Sequence, residues 1–126
     1  METTNKKRIL VIDDDKNLRL VLVDKLNVSG FDAMGASNGQ EGLEMALKLH
    51  PDLILLDVLM PIMNGQEVLK KLREDEWGKK AKIIMLTVVE DAGVIAQAVQ
   101  EGSFAYLIKT DQSMDEIVQK IKMMLQ

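Results

Sequence analysis

The sequence predicts an α/β domain in which five parallel strands are wrapped on both faces by five helices. Short apolar runs alternate in strict order with segments of helical period. Four of those runs are unbroken apolar tetrads, the pattern of parallel strands covered on both faces. The chain has 126 residues, enough for one core and too few for a second domain.

The first strand is the run ILVI at 9–12, and Leu18, Val21, Leu22 and Leu26 then recur at the spacing of one helix face. Residues 31–35 alternate Phe-Asp-Ala-Met-Gly, which suits a second strand at a sheet edge with one wet face. Leu43, Ala46 and Leu47 mark the second helix, and Pro51 follows its end. The third strand is LILL at 53–56, followed by Val68, Leu69 and Leu72 on a third helix. The charged stretch 74–80 is expected as a surface loop carrying Trp77, its ring edge packed on the third helix. The tetrad 83–86 precedes Val94, Ile95, Ala98 and Val99, and the tetrad 105–108 precedes Met114, Ile117, Val118, Ile121 and Leu125. Gly30, Gly65 and Gly102 fall where helices end or begin. Parallel neighbours joined through helices require right-handed crossovers, so the alternation implies one doubly wound domain over 1–126 with a polar lead at 1–7.

Composition removes several function classes. Apolar residues make up 47% and charged residues 29%, ordinary for a folded domain. There is no cysteine and one histidine, His50, so thiolate zinc sites, cysteine nucleophiles and any serine triad lacking His50 are excluded. His50 reads as a solvated helix-end residue. The apolar stretch 53–63 is interrupted by Asp57 and Pro61 and is far shorter than the ~20 residues of a membrane helix, and the polar start is no secretion signal. A cytoplasmic protein without membrane contact is expected. With net charge -4 and scattered Lys and Arg, direct nucleic-acid binding is not expected.

Open sheets of this kind bind ligands beyond the carboxyl ends of their strands. Here the first strand ends at Asp13-Asp14-Asp15, the third at Asp57, the fourth at Thr87 and the fifth at Lys109. Singly, each could be a helix cap or a solvated lysine, and Asp15 fits the cap reading best. Together they gather carboxylates, a hydroxyl and an ammonium on one edge. Two carboxylates ~5 Å apart repel by about 3 kcal/mol at an effective dielectric of 20, so the group calls for a cation. Oxygen ligands without Cys or His favour Mg2+. A carboxylate beside such an ion can attack phosphorus and become an acyl phosphate. Asp57, ending the central strand, is the best nucleophile, with Asp13 and Asp14 on the neighbouring strand as metal ligands.

The stretch ILVIDDD at 9–15, PDLILLD at 51–57 followed by MPIMNG at 60–65, then Thr87 and Lys109, resembles the receiver domain of two-component response regulators over nearly the whole chain. The resemblance implies a flavodoxin-like (βα)5 fold with strand order 2-1-3-4-5. It implies that Asp57 accepts a phosphoryl group from a sensor histidine kinase or a phosphotransfer protein. Asp14 would bind Mg2+ directly and Asp13 through water, with Asp57 and the backbone carbonyl of Leu59 completing the ligands. Lys109 would pair with the phosphoryl oxygens, Thr87 would swing inward to one of them, and Tyr106 would turn inward as Thr87 moves. A downstream protein target would read the fourth helix, fifth strand and fifth helix, 90–126, with the chain a monomer or a phosphorylation-dependent dimer. Such a domain is no conventional enzyme; it catalyses its own phosphorylation and slow dephosphorylation. No output domain is expected within the chain.

Two positions depart from the family pattern. Thr110 follows Lys109 where proline in a cis peptide is usual, which puts the lysine's placement in question. Val88 follows Thr87 where a small residue is usual, and is expected to crowd the pocket. These departures are the only support for a pseudo-receiver working without phosphate. A flavin carrier of the same topology is disfavoured, because its phosphate loop would have to be Asp13-Asp14-Asp15. An aspartyl phosphatase is disfavoured because no second acid follows Asp57 within Val58-Leu59-Met60. The methionines read mostly as core filler, with an exposed contact patch at Met123 and Met124 as the less favoured alternative. Leu59 and Val89, two residues beyond Asp57 and Thr87, offer nothing to orient an attacking water. Self-dephosphorylation is therefore predicted to be slow. The phosphoryl half-life should exceed that of a variant with polar residues at both positions, and an equal or shorter half-life would contradict the reading.

Overall fold

A computed structural model describes residues 6–126, so the polar lead expected at 1–7 lies outside the described residues except for Lys6 and Lys7. Five strands alternate with five helices: β1 Arg8–Ile12, α1 Lys16–Val28, β2 Asp32–Ala36, α2 Gly39–Leu49, β3 Leu53–Leu56, α3 Gly65–Glu74, β4 Ile83–Thr87, α4 Ala92–Gln100, β5 Ala105–Ile108 and α5 Met114–Met124. All pairings are parallel and the order is β2-β1-β3-β4-β5, as expected. The chain turns back at β1, placing β3 on its other side. That reversal opens a crevice above the ends of β1 and β3.

Strand alternation divides the core into two layers. Ile9, Val11, Leu53, Leu55, Ile84 and Leu86 face α1 and α5, where Leu22, Leu26, Ile117 and Ile121 meet them. Leu10, Ile12, Ile54, Leu56, Ile83 and Met85 face Leu43, Ala46, Val68, Leu69, Leu72 and Ala98 of α2, α3 and α4. β1, β3 and β4 are thus buried on both sides, as unbroken apolar strands must be. β5, an apolar tetrad read as covered on both faces, lies at the second sheet edge as the expected strand order places it, and of its residues only Leu107 is buried.

β2 starts one residue later than its alternation suggests, and the reason lies in the preceding turn. Gly30 adopts φ 99, and the amides of Gly30 and Phe31 donate to the carbonyls of Asn27 and Leu26. This pair of bonds closes α1 in a left-handed cap and uses Phe31 in the turn. Gly102, at φ 95, ends α4 the same way through bonds to Val99 and Ala98. The segment around Trp77 contains a 3-10 turn, Gly78–Lys80. Trp77 does not merely rest its edge on α3: its ring stacks on His50, centroids 4.5 Å apart and planes 9° apart. His50, the left-handed cap of α2 at φ 50, is therefore covered on one ring face by Trp77. Most described methionines pack against the core layers, whereas Met123 is exposed. No helix among the described residues is long and apolar enough to cross a membrane.

Ile62 is the other non-glycine residue at positive φ, 72, in the loop between β3 and α3. A β-branched side chain there costs roughly 1–2 kcal/mol, and at 77% exposure it recovers little by burial. Ile62→Gly should raise unfolding stability by up to about 1 kcal/mol in a denaturant titration, since the added freedom of glycine in the unfolded chain offsets part of the relief. A loss of stability would show that the isoleucine side chain contributes more by packing than its backbone costs.

Candidate functional site

Asp13, Asp57 and Thr87 are the buried polar residues among those described, at 2%, 5% and 0% exposure. They follow or end β1, β3 and β4. Water is thus withheld from side chains that normally keep it, and each must find partners within the protein. They do: no buried side-chain nitrogen or oxygen among the described residues lacks one.

The Asp13 backbone continues the pairing of β1, its amide donating to Ala36 at 3.1 Å. Its carboxylate accepts the Asp15 amide on Oδ1 at 2.9 Å and faces Lys109 Nζ on Oδ2 at 2.8 Å. Asp15 caps α1 by accepting the Leu18 amide, as its sequence position suggested. Asp57 is tied to β1 by its amide, which donates to Ile12 at 3.0 Å. Its Oδ1 accepts the Leu59 amide at 3.3 Å and its Oδ2 accepts from Lys109 Nζ at 3.1 Å. Gly65 begins α3 against this backbone. A Cβ built there would lie 2.1 Å from the Asp57 carbonyl oxygen, so only glycine lets α3 start so close to the acid.

Asp14 is exposed, yet its carboxylate joins the other two: ligand oxygens of Asp13, Asp14 and Asp57 all lie within 4.8 Å of one another. That spacing is near the about 4.2 Å between opposite ligands of an octahedral Mg2+. Three carboxylates face one ammonium, leaving two negative charges uncompensated within the cluster. Burial, reinforced by the charge of Asp57, holds the Asp13 carboxyl above its usual range despite Lys109 and the Asp15 amide. Burial alone would lower the Lys109 ammonium, but its bond to Asp13 and the charge of Asp57 outweigh burial and raise it. An all-oxygen donor set carrying surplus negative charge fits a hard divalent cation.

The two sequence departures leave this geometry intact. Lys109 opens a 3-10 turn, Lys109–Asp111, with every described peptide bond trans, and its ammonium still reaches both acids. Val88 is exposed. Thr87 Oγ1 accepts the Val89 amide at 3.4 Å, and the Tyr106 hydroxyl donates to the Val89 carbonyl at 2.9 Å. Tyr106 is half-buried against the layer under α2, α3 and α4. Burial, then the charges of Asp57 and Asp91, raise its hydroxyl above the usual range.

Sequence reasoning missed Arg19. Its Nη1 donates to the Asp13 carbonyl at 2.7 Å from one turn into α1. A signal was present: the first turn of α1 carries no acid, and cations there oppose the helix dipole.

A carboxyl raised above its unfolded value stabilises the fold fully only below the ordinary aspartate value of about 3.9, and this contribution is lost as pH rises through the folded value. Ionised Asp13 is therefore a net cost near neutral pH without metal. Asp13→Asn should raise the metal-free melting temperature, by a margin that widens as pH increases, and should shrink the further rise on adding Mg2+. A lower metal-free melting temperature for the variant across that range would contradict this.

A family model of the response regulator receiver domain matches residues 9–122. The transcriptional regulatory protein LnrK of Bacillus subtilis (strain 168) is 37% identical over 116 residues, covering 90% of this chain and 51% of that protein. The regulatory protein AtoC of Escherichia coli (strain K12) is 34% identical over 102 residues, covering 81% of this chain and 22% of that protein. The chain thus spans about half or less of the length of these curated relatives, and others bear the name DNA-binding response regulator. Among solved structures, a CheY-like receiver domain protein of Methanospirillum hungatei superposes with TM-score 0.89 at 28% identity, covering 96% of this chain and 94% of that one. Chemotaxis protein CheY4 of Vibrio cholerae gives 0.86 at 26% identity, covering 94% and 98%. With the strand order, the acid cluster and these likenesses in agreement, the chain belongs to the response regulator receiver domain family.

Proposed function

We propose that Asp57 accepts a phosphoryl group from a phosphohistidine on a sensor histidine kinase or phosphotransfer protein, in the cytoplasm, and that the chain passes the resulting change to a downstream protein. The observation that carries this reading is the withdrawal of Asp13, Asp57 and Thr87 from water at three neighbouring strand ends, with one ammonium holding both acids.

An Asp57 carboxylate oxygen attacks phosphorus as the donor's P–N bond breaks. The imidazole leaves with the electron pair and takes up a proton, and an acyl phosphate remains. Mg2+, held by Asp13, Asp14, Asp57 and the backbone carbonyl of Leu59, would neutralise the phosphoryl oxygens and the acid cluster together. Lys109, already on Asp57 Oδ2, is placed to follow the charge onto the phosphoryl group.

Thr87 and Tyr106 grip Val89 by its amide and its carbonyl respectively. Thr87 Oγ1 only accepts the long Val89 bond, so its O–H can donate to a phosphoryl oxygen, and turning toward one costs little. Moving Thr87 would release the Val89 amide and alter the carbonyl that Tyr106 holds. This couples a local charge to β5 and to α4 and α5, the output face within 90–126. Exposed Val99, Phe104 and Met123 belong to that segment. Exposure of Val88 and the reach of Lys109 weigh against the phosphate-independent alternative.

Intact-mass measurement after incubation with a small phosphodonor tests the assignment. Wild type should gain one phosphoryl group with Mg2+ and none with a chelator, and Asp57→Asn should gain none in either condition. A gain that persists in the Asn variant would overturn it.

A further inference from the structure

We infer that Arg19 is a positioning residue for the metal site, holding the β1–α1 turn in the conformation that lets Asp13 and Asp14 act as ligands together; the inference rests on the Mg2+ reading above. Asp13 is gripped at four points. Its amide is bound to β2 and its two carboxylate oxygens to the Asp15 amide and Lys109. Its carbonyl, the first half of the peptide leading to Asp14, is held by Arg19 Nη1 at 2.7 Å. That peptide plane decides where the Asp14 side chain departs, and Asp14 has no other anchor at this turn among the described residues.

The route of the side chain supports a dedicated role. Arg19 lies half-buried, and its stem crosses β2 at Gly35, where a built Cβ would stand 3.0 Å from both Cγ and Cδ. A side chain at position 35 would crowd the stem that carries the guanidinium to Asp13. Placing a cation early in α1 is unfavourable for the helix itself, and the three nearby carboxylates offset that. Groups that hold metal ligands from behind are commonly worth 10- to 100-fold in affinity.

Charge and positioning predict opposite outcomes, which makes the role testable. Removing a cation beside a divalent site should tighten metal binding if Arg19 acts only through its charge. Freeing the Asp13–Asp14 peptide should weaken it. Mg2+ binding is measured by titration calorimetry on wild type, Arg19→Met, which keeps the stem, and Arg19→Lys, which keeps the charge; melting temperatures in chelator are recorded alongside. The expected result is a Kd for Mg2+ about tenfold weaker in Arg19→Met, with Arg19→Lys between it and wild type. A Kd that is equal or tighter in Arg19→Met, whatever its melting temperature, overturns the inference. If Arg19→Met does not fold, an Arg19→Lys Kd equal to wild type overturns it as well. Absence of Mg2+ binding in wild type would defeat the underlying metal assignment instead.

Discussion

Three carboxylates drawn within 4.8 Å of one another, two of them buried, against a single ammonium, is the constraint from which the rest of this molecule follows. Such a cluster is a standing electrostatic cost that a small domain has no structural reason to carry. Lys109 binds both buried acids at once, which keeps them together but neutralises only part of their charge. Burial, with the charge of Asp57 added to it, holds the Asp13 carboxyl above its usual range. A divalent cation is the chemical species whose charge complements what remains.

The scaffold holds the acids in place by making their backbones part of the sheet. Asp13 and Asp57 each continue a strand pairing by one residue, so neither can retreat to solvent without breaking a ladder bond. α3 packs directly over the Asp57 carbonyl through Gly65, and Arg19 closes the other side through the Asp13 carbonyl. Thr87 and Tyr106 share Val89 between them, the Thr87 hydroxyl oxygen accepting its amide over 3.4 Å and the tyrosine hydroxyl donating to its carbonyl at 2.9 Å.

Much of this was legible in the residues. Unbroken apolar tetrads identify buried parallel strands because both faces need covering, and acids at the strand ends then fall on one edge by topology alone. The misreadings share a cause: local pattern carries no information about lateral neighbours. β5 is an apolar tetrad like β3, yet only Leu107 of it is buried because the sheet order leaves it at an edge. Phe31 fits a strand by alternation but is taken by the α1 cap. His50 and Trp77 lie far apart in sequence, and nothing in either segment announces their stacking. Arg19 was overlooked because its partner is a backbone carbonyl, and the one trace it leaves in the sequence is a cation placed unfavourably early in α1. Thr110 looked obstructive by comparison with a pattern, whereas a lysine long enough to span the turn still reaches both acids.

The most direct test of a shared cation site is anomalous diffraction from crystals equilibrated with Mn2+, a scattering substitute for Mg2+. The account predicts one strong peak at coordination distance from carboxylate oxygens of Asp14 and Asp57, with Asp13 beside it. A peak bound elsewhere, with that crevice empty at saturating Mn2+, would contradict it.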